Sequence, residues 1–238
     1  MNNSSLNEIL FEQLEKQWLD CRDHIFIPLF KRYADYLQLY RNGEFAILDG
    51  EDIEEELAEK AADISSKNPY ADFIENHPLH EQNCIQYLKN EIQNCLNDPE
   101  VKAQLLQSGA IEIGYDWYFH YDSGINFFKK GLTFPIIAEP RYLYKELPPG
   151  HYAGFAKGPN FSGVWPDCAK LIDEADEKHT LLGLGYELMN YYQLQSRLFL
   201  HKVFREMDNE GQFSQLEQHP FPVYIAEHDC EEMTLYVI

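Results

Sequence analysis

The stretch 111–122, IEIGYDWYFHYD, indicates the fold class because its residues alternate strictly in character. One set of alternate positions holds six large apolar or aromatic residues, namely Ile111, Ile113, Tyr115, Trp117, Phe119 and Tyr121. Successive side chains of a strand point to opposite faces, so the pattern predicts a β-strand with one heavily apolar face. The other face would carry Glu112, Gly114, Asp116, Tyr118, His120 and Asp122.

Further strands are predicted on the C-terminal side of this stretch. Residues 122–124, Asp-Ser-Gly, have the composition of a turn. Short apolar runs then predict strands at about 125–128, 132–137 and 152–156, and a closing hairpin that pairs 223–226 with 234–237.

Helical spacing of apolar residues dominates before residue 109. It predicts a helix at about 5–21 and a second one that ends at about Tyr40. Three more are predicted at about 51–64, from His77-Pro78 to about Leu96, and at about 99–107. A long helix at about 180–207 follows the strands. We therefore predict an α+β fold, a helical N-terminal part followed by a mainly antiparallel sheet packed against one long helix. We treat 1–238 as one domain, with a helical subdomain 1–108 and a sheet-plus-helix subdomain 109–238 as the alternative division.

Charge excludes two classes of partner. The chain has 19 Lys and Arg against 40 Asp and Glu, for a net charge of −21. Nucleic acid and anionic membranes would be repelled by such a field. With 45% hydrophobic residues the chain is nevertheless too apolar for a disordered acidic protein. Its five cysteines include no C-x-x-C pair, and the N-terminus has no secretory pattern, so we expect a cytoplasmic protein.

The acidity is densest in the predicted helix at 51–64. A helical wheel places six acidic residues on one side, opposite an apolar stripe: Glu51, Asp52, Glu55, Glu56, Glu59 and Asp63. A solvated helix face is the simplest interpretation. However, like charges four residues apart disfavour a helix, so the pattern also fits a surface that meets a basic partner.

This surface leads to our first functional hypothesis. We expect a non-enzymatic acidic binding protein that neutralises a basic protein partner, most plausibly an immunity protein or antitoxin acting as a toxin inhibitor. The six acidic residues would form the partner-binding site, and opposite fields would speed the encounter. We expect no cofactor and no metal.

Two weaker clusters suggest other chemistry. His77, His80, Glu81 and Cys84 hold metal-ligating groups, but Cys84 falls on the predicted core stripe, so a buried cysteine is the better interpretation. His120 and Asp122 share a strand face and would suit general base catalysis by a hydrolase. The wet face of a half-buried sheet accounts for them equally well.

Residues 147–159, LPPGHYAGFAKGP, resemble the strand motif of GyrI-like small-molecule-binding domains. The motif is one residue short between Phe155 and Gly158, and the closing hairpin at 221–238 is loosely similar to the end of those domains. The resemblance implies an alternative function, the binding of a small molecule. In that case we expect an aromatic-lined pocket between the sheet and the long helix, with a buried carboxylate that orients a cationic ligand.

Overall fold

The computed structural model describes residues 3–22, 69–115, 121–167, 184–227 and 230–238. The helices in these ranges are α1 (Asn3–Asp20), α2 (Pro69–Asn76), α3 (Glu81–Asn97), α4 (Pro99–Leu106) and α5 (Leu184–Asn209). The strands are β1 (Ser108–Tyr115), β2 (Asp122–Lys129), β3 (Tyr152–Asn160), β4 (Pro222–Glu227) and β5 (Met233–Val237). The predicted helices ending at Tyr40 and covering 51–64 lie outside the described residues.

The fold is α+β, as predicted. In the described residues the strands form a five-stranded sheet in the order β3-β2-β1-β4-β5. Neighbouring strands pair antiparallel except β1 and β4, which run parallel. The sheet is therefore mixed, although it is mainly antiparallel, and β4 with β5 is the predicted closing hairpin.

Contacts divide the chain into two compact units. The first contains Met1–Gln17, Leu79–Pro166 and Tyr192–Ile238, and with them the whole sheet. The second contains Trp18–Pro78 and Asp167–Tyr191. In the described part of the second unit, the rings of Phe73 and His77 stack with centroids 4.1 Å apart.

One face of the sheet is covered by helices. Ile111 and Ile113 of β1 are fully buried on this face. From α5, Arg197 lies with its Nε 3.1 Å from the hydroxyl of Tyr115 and its Nη1 3.7 Å from the sulfur of Met233. On the β3 side, Glu91 of α3 accepts a hydrogen bond from the backbone N–H of Asn160 at 3.0 Å. The odd-numbered residues of β1 thus face the core between sheet and helices.

Several predicted boundaries are wrong for identifiable reasons. Pro78 does not begin a helix, because α3 starts at Glu81 with His80 as its N-cap. Residues 132–137 are irregular rather than a strand, since Pro135 has no N–H to donate to a ladder. Helix α2 is not among the predicted helices, and Pro69 occupies its first turn, where proline is well tolerated.

No helix in the described ranges is both long and apolar enough to cross a membrane.

Candidate ligand-binding site

A cavity of about 480 Å³ opens on the sheet face that carries the even-numbered residues of β1. Its floor comes from β1 and β2, where Glu112 pairs with Asn126 and Gly114 pairs with Gly124. Tyr152 and Phe155 of β3 line it as well. Because Ile111 and Ile113 point to the helices, the cavity lies on the opposite face from α5.

An irregular segment, residues 132–147, covers this face. Its backbone follows the sheet at Ile137, whose N–H donates to the Thr234 hydroxyl at 2.8 Å and whose carbonyl accepts from the Thr234 N–H at 2.8 Å. The hydroxyl of Tyr224 donates to the Pro135 carbonyl at 2.6 Å. These contacts place the 3₁₀ turn Leu143–Lys145 over the cavity, with Tyr142 and Tyr144 in its wall.

Glu112 is the central polar group of the site. It is only 2% exposed, in the middle of the central strand. The Tyr144 hydroxyl donates to its carboxylate, 2.7 Å from each oxygen, and the Asn126 amide donates to Oε1 at 2.9 Å. Burial raises the pKa of the Glu112 carboxyl, and the hydrogen bonds from Tyr144 and Asn126 only partly offset that rise.

Aromatic rings surround this carboxylate. The ring of Tyr144 stacks on His151 with centroids 5.6 Å apart and lies 5.6 Å from the ring of Tyr152. Phe155 is 66% exposed at the mouth of the cavity. It lies across Gly124, where a Cβ would come within 2.3 Å of the Phe155 ring. The glycine therefore allows an aromatic wall to approach the strand backbone.

The charged side chains in the described lining of the cavity are all acidic. Of the described residues that line the cavity, four are acidic and none is Lys, Arg or His: Glu112, Asp122, Glu227 and Glu232. Asp122 lies at the exposed rim and pairs with Lys157, their Oδ1 and Nζ atoms 3.2 Å apart. Glu232, by contrast, is completely buried. The site therefore combines ring faces with negative charge.

The residues predicted from the sequence fall mostly elsewhere. Glu51, Asp52, Glu55, Glu56, Glu59 and Asp63, the predicted partner-binding set, lie outside the described residues, as does His120. Cys84 is buried in the core as expected, and burial raises its pKa. Glu81 pairs with Lys202 at 2.6 Å, and no group of three metal-ligating side chains occurs in the part of the chain that is described.

The cavity lies on the opposite face of the sheet from the pocket that the resemblance implied. The motif 147–159 forms the edge strand β3 and contributes Tyr152 and Phe155 to the cavity. Of the two buried carboxylates in the described lining, Glu112 lies on the strand face that the alternating pattern predicts to be polar. The sequence motifs point to neither Glu112 nor Tyr144 as a site residue. The sequence signal at this site is a carboxylate between Ile111 and Ile113, and only the sheet order shows that its strand is the central one.

No protein-family model, curated protein or solved structure matches the chain.

Chemically, the cavity is suited to a cation with an apolar body. A buried carboxylate is costly unless a positive charge or several hydrogen bonds compensate it. The surrounding ring faces attract a cation through their quadrupoles. A volume of about 480 Å³ lies within the usual range of small-molecule sites, roughly 300 to 1,000 Å³.

Proposed function

We propose that this protein binds a small organic cation with an aromatic or apolar body. The observation that carries the proposal is the buried carboxylate of Glu112 in a cavity whose described lining contains no cationic side chain. The cationic group of the ligand lies against Glu112. Its apolar body lies between the rings of Tyr152 and Phe155.

Hydrogen bonds orient the Glu112 carboxylate before such a ligand binds. Tyr144 and Asn126 fix the orientation of the carboxylate through donors on two different elements. Because its position is fixed before binding, little conformational entropy is lost when the ligand arrives. Burial and the nearby Glu112 charge raise the pKa of Tyr144, so its hydroxyl stays protonated and keeps donating.

A matched pair of ligands tests the proposal directly. We would measure binding of 2-naphthylmethylamine and its neutral counterpart 2-naphthylmethanol by calorimetry at pH 8. A hydrogen bond to a charged group contributes ~1.5 to 3 kcal/mol, so the amine should bind roughly 10-fold to 150-fold more tightly than the alcohol. In Glu112→Gln this preference should disappear.

The control is Glu231→Gln, which removes the same charge from an exposed residue that does not line the cavity. Its preference for the amine should equal that of the unaltered protein. Equal affinity for amine and alcohol in the unaltered protein, or an amine preference that survives in Glu112→Gln, would refute the proposal.

A second candidate function rests on the charge pattern of the sequence. Glu51, Glu55 and Glu59 are spaced four residues apart in the densest acidic stretch of a chain with net charge −21. Such a surface favours a basic protein partner, and we propose as the alternative that the protein occludes a basic toxin in the cytoplasm as an immunity protein. The triple variant Glu51→Lys, Glu55→Lys and Glu59→Lys should then lose capture of a basic partner from lysate of the native host.

A matched triple variant on α1 provides the control for this second candidate. Glu8, Glu12 and Glu15 are exposed residues of a described helix with similar spacing. Reversing these three changes the net charge by the same amount at another place. Loss of capture in both triple variants would indicate a general charge effect and would contradict a specific surface at 51–59.

A further inference from the structure

Glu232 is a second carboxylate of the cavity with an unused oxygen. It lies just before β5, lines the cavity and is completely buried. Its Oε2 accepts a hydrogen bond from the backbone N–H of Leu143 at 2.6 Å. Its Oε1 is buried and has no hydrogen-bond partner among the described residues. A buried acceptor of this kind is destabilising unless a donor reaches it.

No basic side chain in the described ranges forms an ion pair with this carboxylate. Arg141 is a basic residue whose backbone forms a bridge with the backbone of Glu232. The Arg141 side chain, however, pairs with the exposed Glu146, its Nε 3.0 Å from Oε1. Glu232 therefore keeps a hydrogen-bond acceptor for a group that enters the cavity.

Glu112 and Glu232 lie far enough apart to hold two separate groups. Glu112 of β1 pairs with Tyr224 of β4, and Tyr224 pairs with Thr234 of β5. Two strand spacings separate Glu112 from Thr234 by about 10 Å, and Glu232 lies two residues, or about 7 Å, further along the chain, so the two glutamates are about 12 Å apart at the backbone. The carboxylates still influence each other, since burial raises the pKa of Glu232 and the charge of Glu112 raises it further.

We propose that the ligand is a dication, with one cationic group bound at Glu112 and the second bound at Glu232 Oε1. This inference rests on the proposed function, because it assumes that Glu112 binds the first cationic group. It narrows the ligand class to diamines or related compounds with two cationic ends and an aromatic or apolar middle. The ring faces of Tyr144 and Tyr152 would then contact the middle of the ligand.

Matched mono- and diamines test this inference. We would titrate the protein at pH 8 with benzylamine and with 1,3- and 1,4-bis(aminomethyl)benzene, which differ from it by one aminomethyl group. At least one diamine should bind 10-fold or more tightly than benzylamine. In Glu232→Gln that advantage should vanish, so that the diamines bind no more tightly than benzylamine does to the same variant.

Three variants distinguish the second cation site at Glu232 from the proposed function, which rests on Glu112. Glu112→Gln should weaken the binding of monoamine and diamine alike, and Glu100→Gln, at an exposed residue of α4 away from the cavity, should change neither. Glu232→Met serves as a second variant, and thermal unfolding checks that each variant is folded. If benzylamine binds through Glu112 but neither diamine binds more tightly than benzylamine, the inference is overturned and the proposed function stands. The same conclusion follows if the tighter binding of a diamine persists in Glu232→Gln. If no amine binds, both are overturned.

Discussion

The hydroxyl oxygen of Tyr144 lies 2.7 Å from both carboxylate oxygens of Glu112, across the gap between an irregular covering segment and the central strand of the sheet. The two residues are 32 positions apart in the chain. Their contact joins the wall of the cavity to its floor. It also makes the charge state of Glu112 depend on how the segment 132–147 is placed.

The first prediction concerns Tyr144→Phe. The hydrogen bond from Tyr144 lowers the pKa of Glu112, so its removal should raise that pKa further above its ordinary value. Titration of ¹³C-labelled glutamate carboxyls by NMR would measure the change. Tyr87→Phe removes a comparable hydroxyl, 3.2 Å from Asn160 Oδ1, and should leave the Glu112 titration unaltered. A Glu112 pKa that is equal in Tyr144→Phe and the unaltered protein would contradict the prediction.

The second prediction concerns stability in Glu112→Gln. The folded-state pKa of Glu112 lies above the ordinary value of 4.5, so between these two pKa values the folded state binds more protons than the unfolded state. The contribution of Glu112 to the free energy of unfolding therefore falls as pH rises above 4.5. Glutamine carries no charge to bury, so Glu112→Gln should be more stable than the unaltered protein at pH 8.

The advantage of Glu112→Gln should shrink as the pH is lowered to 4, where the glutamate is neutral as well. Urea denaturation at pH 4, 6 and 8 measures it. A variant that is less stable by the same amount at every pH would show that packing, rather than the buried charge, governs this position. A gain in stability with a loss of ligand binding is the usual sign of a functional buried charge.

The sheet was predictable because its signals are local. Residues 111–115 alternate cleanly, and the closing hairpin combines two short apolar runs around polar residues. The structure confirms a strand over 111–115 and the pair β4–β5. The end of the predicted strand and the turn predicted at 122–124 are wrong, because Asp122 already begins β2. Helix α4 was equally accessible, since Asp98 caps it by accepting from the N–H of Glu100 at 2.8 Å and Pro99 follows.

The site was not predictable in the same way, because burial of Glu112 depends on distant residues. Alternation assigns Glu112 to the polar face, and a polar face is normally solvated. Here an irregular segment covers that face through Ile137 and Thr234, which are 97 positions apart. Tyr144 reaches the site only because this segment turns back at Leu143. Periodicity carries no information on where an irregular segment lies.

The third prediction concerns His201, a fully buried residue of α5. Its Nδ1 lies 2.7 Å from the carbonyl oxygen of Leu235, as expected for a neutral ring that donates. Burial lowers the pKa of His201 from 6.5 to about 4. Between pH 6.5 and 4, His201 is protonated in the unfolded state but not in the folded state. Lowering the pH through this window therefore lowers the free energy of unfolding by about 3 kcal/mol.

His201→Gln removes this titration while it keeps an N–H that can reach Leu235. Its free energy of unfolding should fall less steeply below pH 6.5 than that of the unaltered protein, although packing losses lower it at pH 7. Urea denaturation at pH 7, 6, 5 and 4 gives both curves. Parallel curves would show that His201 is protonated in the folded state.

The last prediction concerns Asn7, which joins α1 to the edge strand β5. Its amide donates to the Val237 carbonyl at 2.8 Å, and its Oδ1 accepts from the Val237 N–H at 2.8 Å. Asn7→Ala leaves both backbone groups without partners in a buried place, and each costs ~1 to 3 kcal/mol. We expect a loss of about 2 to 4 kcal/mol in the free energy of unfolding, measured by urea denaturation.

The control is Glu12→Ala, at an exposed residue of the same helix, which should change the free energy of unfolding by less than about 0.5 kcal/mol. Equal losses in the two variants would mean that α1 contributes through helix propensity and not through its bonds to Val237.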